Sequence, residues 1–87
     1  MMLHITEVAH VRGKVVQVVF DDGLTGEVDL DGKLSGPVFE PLRDETYFAK
    51  AYVDPELETI AWPNGADLAP EFVRDLLLEQ NPVQRHG

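Results

Sequence analysis

The side chains of this 87-residue sequence that could do acid–base, metal or nucleophilic chemistry are three histidines, sixteen carboxylates and the lone serine, Ser35. With no cysteine there is no thiolate nucleophile, no sulfur-ligated zinc and no disulfide. On a regular strand His4 and His10 would share a face, yet six residues of strand span roughly 20 Å, too far for both to reach one zinc ion. His86 adds no fixed geometry, so no metal is expected. Asp21, Asp22, Asp29, Asp31, Asp54 and Asp67 could form an acid–base pair or a hard-cation site if two loops converged. The Asp21-Asp22-Gly23 run lacks the ligand spacing of a calcium loop, and turn chemistry already explains it. Ser35 lies between glycines and proline without a G-x-S-x-G frame, and no glycine pattern suits a phosphate. No catalytic residue and no cofactor are assigned.

The segment that stands out is Trp62-Pro63-Asn64-Gly65-Ala66-Asp67-Leu68, which places the single tryptophan beside a constrained turn. Two readings fit it. In one, Trp62 ends a strand inside the core, Asn64-Gly65 turns the chain and Asp67 caps the following helix. In the other, the loop presents Trp62, Asn64 and Asp67 to a partner.

The elements that must position these residues follow from periodicity. Leu3 to Val11 reads as a first strand, and the valine-rich Lys14 to Phe20 as a second with Val16, Val18 and Phe20 on one face. Asp21-Asp22-Gly23 turns the chain into a third strand, where Leu24, Gly26, Val28 and Leu30 alternate with polar residues. Asp31 to Pro41 is a connector broken by glycine and proline, and Asp44 starts a short helical turn through Phe48. Ala51 to Val53 and Thr59 to Trp62 form a second hairpin. A helix runs from Pro70 to Glu79, capped by Asp67 or Ala69, with Phe72, Val73, Leu76 and Leu77 on its inner stripe. Leu78 falls outside that stripe and stays in water unless a second copy covers it, which allows a homodimer.

The expected architecture is therefore α+β: a mainly antiparallel twisted sheet of about five strands, covered on one face by the C-terminal helix and the short helical segment. A single domain spans 1–80, followed by a flexible tail at 81–87. The core is expected to hold Leu3, Ile5, Val16, Val18, Phe20, Val28, Leu30, Phe39, Leu42, Phe48, Ile60, Phe72, Val73, Leu76 and Leu77.

Sixteen acidic against seven basic side chains give a formal charge of −9, which repels phosphate backbones and anionic lipid. Neither a leader with a basic start and apolar centre nor an apolar run long enough to span a bilayer is evident, so a cytoplasmic protein is expected.

Several segments taken together resemble the domain-of-unknown-function family 2442. They are Val19-Phe20-Asp21-Asp22-Gly23 with Val28-Asp29-Leu30, then Phe39-Glu40-Pro41-Leu42-Arg43-Asp44 with Phe48, then Ile60 through Leu68. The resemblance covers about residues 4 to 78 and implies a small bacterial α+β domain with no established activity. It also implies that some relatives carry an added helix-turn-helix, and that many are encoded beside another small family in an arrangement suggestive of toxin and antitoxin pairs. An 87-residue chain leaves no room for that extra segment, so direct nucleic-acid contact is not expected. The expected function is a non-enzymatic interaction or regulatory module, an acidic and antitoxin-like partner of a small basic protein. The rival is a small hydrolase or metal-dependent enzyme using Asp21, Asp22 or Asp67 near Trp62.

Overall fold

A computed structural model of the chain describes residues 3–81; the expected tail from Pro82 onward, including His86, lies outside the described residues. Its elements, in order, are β1 (Ile5–Arg12), β2 (Val15–Phe20), β3 (Thr25–Asp29), a 3-10 helix (Pro37–Arg43), α1 (Glu45–Phe48), β4 (Tyr52–Asp54), β5 (Thr59–Ala61) and α2 (Pro70–Gln80). The alternation of β2 and β3 appears as expected: Val16, Val18, Phe20, Val28 and Leu30 are buried, and Gln17, Thr25, Glu27 and Asp29 face water. None of the described helices is long and apolar enough to cross a membrane.

The α+β architecture is present, with the strands divided into an antiparallel β1-β2-β3 sheet and a separate β4-β5 hairpin. Among the described residues one backbone bond joins them, the Ile5 N–H donating to the Glu58 carbonyl at 2.9 Å. Directly after Ile5 the β1 register slips, because Ile5 faces Phe20 while Glu7 faces Val19. Such a bulge adds local twist and interrupts the β1-β2 ladder. The extra residue also inverts the phase of β1. Ile5 is buried and Val8 and His10 are half-buried behind it, so His4 and His10 end on opposite faces instead of sharing one.

The stretch expected to be a plain connector is partly helical, since Pro37 opens the 3-10 turn and Leu42 is buried beneath it. Asp44 precedes α1 as expected, although its side chain makes no capping bond. Helix α2 begins at Pro70 with Ala69 as its cap, again without a side-chain cap bond, so Asp67 does not cap it. Val73, Leu76 and Leu77 form its buried face.

That face seats on β3 at Gly26, where a β-carbon would come within 3.3 Å of the Leu77 side chain. The close approach centres the contact on Val73, Leu76 and Leu77 and leaves Phe72 on the flank with 38% of its surface exposed, contrary to its expected place in the core. Leu3 and Phe39 are likewise only half-buried against the core. Trp62, Ala66 and Leu68 are buried within it.

The far end of α2 is tied to β3 by side chains. The Gln80 amide accepts from the Asp29 N–H at 2.7 Å and donates to the Asp29 carbonyl at 2.9 Å. Asn81 donates to the Glu27 carbonyl at 2.9 Å and to the Leu77 carbonyl at 3.0 Å, so Asn81 belongs to the folded unit.

Candidate interaction surface

The Trp62 to Leu68 segment is a tight reversal whose residues each have a backbone task. The Trp62 carbonyl accepts from the Gly65 N–H at 3.0 Å, and the Trp62 N–H donates to the Ala66 carbonyl at 2.9 Å. Pro63 supplies a fixed φ after Trp62, and Gly65 adopts φ 93°, where a side chain would be strained. This is a three-residue hairpin loop with glycine in the left-handed position. The chain then runs back antiparallel along β5, Asp67 bridging Ala61 and the Leu68 N–H donating to the Ile60 carbonyl at 3.1 Å.

Trp62 points inward. Its ring is fully buried, tilted against Phe48 with centroids 5.7 Å apart, and its Nε1–H donates to the Phe48 carbonyl at 2.9 Å. Asn64 is exposed but engaged, its Nδ2 donating to the Val38 carbonyl at 2.8 Å and its Oδ1 accepting from the Ala66 N–H at 3.2 Å. Asp67 faces outward and lines a groove of about 290 Å³ with Lys33, Leu34, Phe39, Leu68 and Phe72. The loop therefore offers solvent Asn64 and Asp67 and keeps Trp62.

The Asp21-Asp22-Gly23 turn is built as its residues suggest. Gly23 sits at φ 92° and its N–H donates to the Phe20 carbonyl at 2.9 Å, while Asp22 Oδ1 accepts from the Leu24 N–H at 3.0 Å. The other Asp22 oxygen takes the Arg74 guanidinium of α2 at 2.8 Å, a contact 52 residues away that periodicity could not reveal. The Leu24 N–H first, and Arg74 beside it, hold the Asp22 carboxyl below its ordinary value of 3.8, partly opposed by desolvation.

Because the folded value lies below the unfolded one, this stabilisation is present above pH 3.8 and is lost as pH falls through the lower folded value. Asp22→Asn is therefore expected to lower the urea midpoint at neutral pH, and the two proteins' midpoints should converge well below pH 3.8. A difference that stays constant across that range would show that the charge is not responsible.

Two acidic turns meet at this end of the sheet. The His4 carbonyl accepts from the Asp21 N–H at 2.9 Å, and the next residue, Ile5, is bonded to Glu58 of the β4-β5 turn. Asp54 shapes that turn, its Oδ1 accepting from the Glu56 and Leu57 N–H groups at 2.8 and 3.0 Å. Asp21 and Glu58 are thus brought to one end of the sheet through His4 and Ile5, and Leu57, which precedes Glu58, is 53% exposed, the most exposed of the large apolar side chains described. Sequence reading weighed His4 only as a metal ligand and singled out neither Leu57 nor Glu58. An apolar residue standing between two glutamates in a turn was the available signal.

The opposite end of β2 differs in character. Arg12, Lys14 and Arg43 line a groove of about 520 Å³ together with Asp29, Asp31 and Glu45, roughly 20 Å away along the six residues of β2. Its cations are already engaged: Arg12 with Glu27 and Arg43 with Glu40, each at 3.5 Å, and Lys14 with the Arg43 carbonyl at 2.9 Å. Among the described residues no three of His, Asp or Glu are arranged to hold a metal ion.

The sequence profile of the family described as Protein of unknown function (DUF2442) matches residues 5–76. The chain belongs to this family. The matched DUF2442 region takes in both acidic turns and the whole Trp62 reversal, so the stretch that carried the resemblance is the one whose residues each have a structural task. Comparison with curated proteins returns no significant match. Among solved structures, this DUF2442 domain is similar to the crystal structure of NE0471 from Nitrosomonas europaea, a protein named there as a candidate DNA binding protein. The TM-score is 0.76 at 19% identity, over 92% of this chain and 52% of that one. At that identity the likeness establishes the fold of the DUF2442 domain, and the chain spans about half the length of that structure.

Proposed function

We propose that the domain is a non-enzymatic interaction module whose acidic end receives a small basic protein, in the manner of an antitoxin neutralising its partner. The observation that carries this reading is the junction of two carboxylate-bearing turns through His4 and Ile5, with the exposed Leu57 on one of them. Carboxylates on the same turns as an exposed apolar side chain suit a basic segment that carries an apolar residue: opposite charge speeds encounter and fixes orientation, and the apolar contact is the part that excludes water. The overall charge of −9 reinforces the choice of a basic partner.

The reading of the similar structure as DNA-binding makes duplex DNA the rival ligand. Against it stands the long-range repulsion of phosphate by the net charge of −9. The rival enzyme reading gains nothing from the site, because Asp22 is held by Arg74, Asp67 lies along β5 and Trp62 is buried.

The test is co-expression with the protein encoded by the adjacent gene, followed by size-exclusion chromatography with light scattering at low and moderate salt. A stoichiometric complex is expected, weakened by salt and weakened about tenfold by Glu56→Lys or Leu57→Ser. Elution of this chain alone, or a complex indifferent to both substitutions, would overturn the proposal. Saturable binding of duplex DNA in the same buffers would transfer the function to the rival.

A further inference from the structure

We propose that the groove between the start of α2 and the Lys33 to Phe39 segment is a self-association surface, closed by the same groove of a second copy of this chain. Phe39 and Phe72 stand where their local pattern calls for a core, yet the folded chain leaves Phe39 half-buried and Phe72 38% exposed. Both line this one groove of about 290 Å³, together with Leu34 and Leu68. The other two phenylalanines of the chain, Phe20 and Phe48, are buried. Val38, beside Phe39, is exposed as well, and its carbonyl is fixed by Asn64 Nδ2 at 2.8 Å. Two open aromatic rings gathered at one place on a held backbone form a contact surface, unlike apolar residues scattered singly.

The charges at the groove select its occupant. Lys33 and Asp67 line it, both are exposed, and among the described residues neither takes part in an ion pair. A strongly basic partner would be repelled by Lys33 and a phosphate backbone by Asp67, whereas a surface with one charge of each sign complements itself. In a two-fold contact both copies offer the same patch, so an axis midway between these residues sets Lys33 of each copy against Asp67 of the other and closes two pairs at once. Exposed pairs of this kind fix register more than they add affinity, and the aromatic rings supply the centre that excludes water. Leu78 does not belong to this surface. It stands about 120° away from Phe72 around α2, so one contact does not cover both.

This surface shares no residue with the acidic turns assigned to the basic partner, and its response to salt has the opposite sign. Two copies at −9 repel each other at long range, and salt screens that repulsion while leaving the apolar contact in place. Sedimentation equilibrium of the full chain alone, from about 1 µM to about 1 mM, is expected to show monomer and dimer, with dimerisation about two- to fivefold tighter at about 300 mM salt than at about 30 mM. Phe72→Ser should weaken it about tenfold, and Leu78→Ser should leave it unchanged. At moderate salt Lys33→Asp and Asp67→Lys should each weaken it about five- to tenfold, since each sets like charges together twice. An equimolar mixture of these two variants should regain the native affinity, because the mixed pair restores both contacts without changing the summed charge. Circular dichroism checks that each variant is folded. A chain that stays monomeric throughout, a dimer that weakens with salt or ignores Phe72→Ser, one that is lost in Leu78→Ser, or a variant mixture that does not associate would overturn the proposal.

Discussion

Trp62→Ala is expected to destabilise the domain by about 3–5 kcal/mol, the usual cost of deleting a large aromatic side chain from a packed site. The ring is fully buried at the junction of β5, α1 and the returning Ala66 to Leu68 segment, so no neighbour can readily collapse into the space. Single domains have only about 5–15 kcal/mol in total, so this loss takes a large share of the domain's stability. Trp62→Phe keeps most of the volume and separates the two contributions. It removes the bond from Nε1 to the Phe48 carbonyl, but that carbonyl still accepts from the Ala51 N–H at 3.2 Å and is not orphaned. The milder variant should therefore cost about 1–3 kcal/mol. Urea denaturation followed by circular dichroism checks both, and equal losses in the two would show that the ring's volume is not what matters.

Phe20→Ala should be nearly as severe, at about 3–5 kcal/mol. Phe20 is buried at the end of β2, and its backbone closes the Asp21-Asp22-Gly23 turn through the bonds to Gly23 and Leu24. Its ring also lies under the Arg74 guanidinium, 5.8 Å from centroid to carbon, while Arg74 reaches on to Asp22. Removing the ring empties the core and takes away the surface that orients Arg74. Phe20→Leu should recover much of the lost stability, measured as the shift in urea midpoint with the single tryptophan's fluorescence as the probe. Should Phe20→Leu be as damaging as Phe20→Ala, the arginine contact and not the packed volume would carry the effect.

These two residues also show where the sequence could be read and where it could not. Phe20 was legible because β2 and β3 alternate cleanly, and a period of two assigns each side chain a face. The start of α2 was legible from Pro70, whose missing N–H and fixed φ suit a first turn. Trp62 was half legible: the turn chemistry of Pro63, Asn64 and Gly65 was plain, but burial of the ring depends on Phe48, fourteen residues earlier.

What escaped were the features set by long-range geometry. The bulge after Ile5 leaves no pattern in one strand alone, because it exists only against Val19 and Phe20. Phe72 sits at helical spacing with its neighbours and is displaced to the flank by the fit of Leu77 onto Gly26. Asp67 is chemically a good helix cap, and the antiparallel bridge to Ala61 claims its backbone instead. The acidic end was missed because His4, Asp21 and Glu58 are distant in sequence and meet only when both hairpins are folded.

The grip of Gln80 and Asn81 on β3 bears on how the chain survives its own synthesis. β3 is an outer strand, and the Asp29 N–H and carbonyl and the Glu27 carbonyl point away from β2, where another chain's strand could bind them. In the folded protein the Gln80 amide occupies both Asp29 groups as a neighbouring peptide would. Asp29 and Gln80 are 51 residues apart, so at about 5–20 residues per second the ribosome delivers the cover about 3 to 10 s after the edge. During that interval the nascent sheet offers an open template. Protection from strand-to-strand aggregation thus arrives with the last helix, and a chain cut before Gln80 would fold its sheet with the sticky side bare.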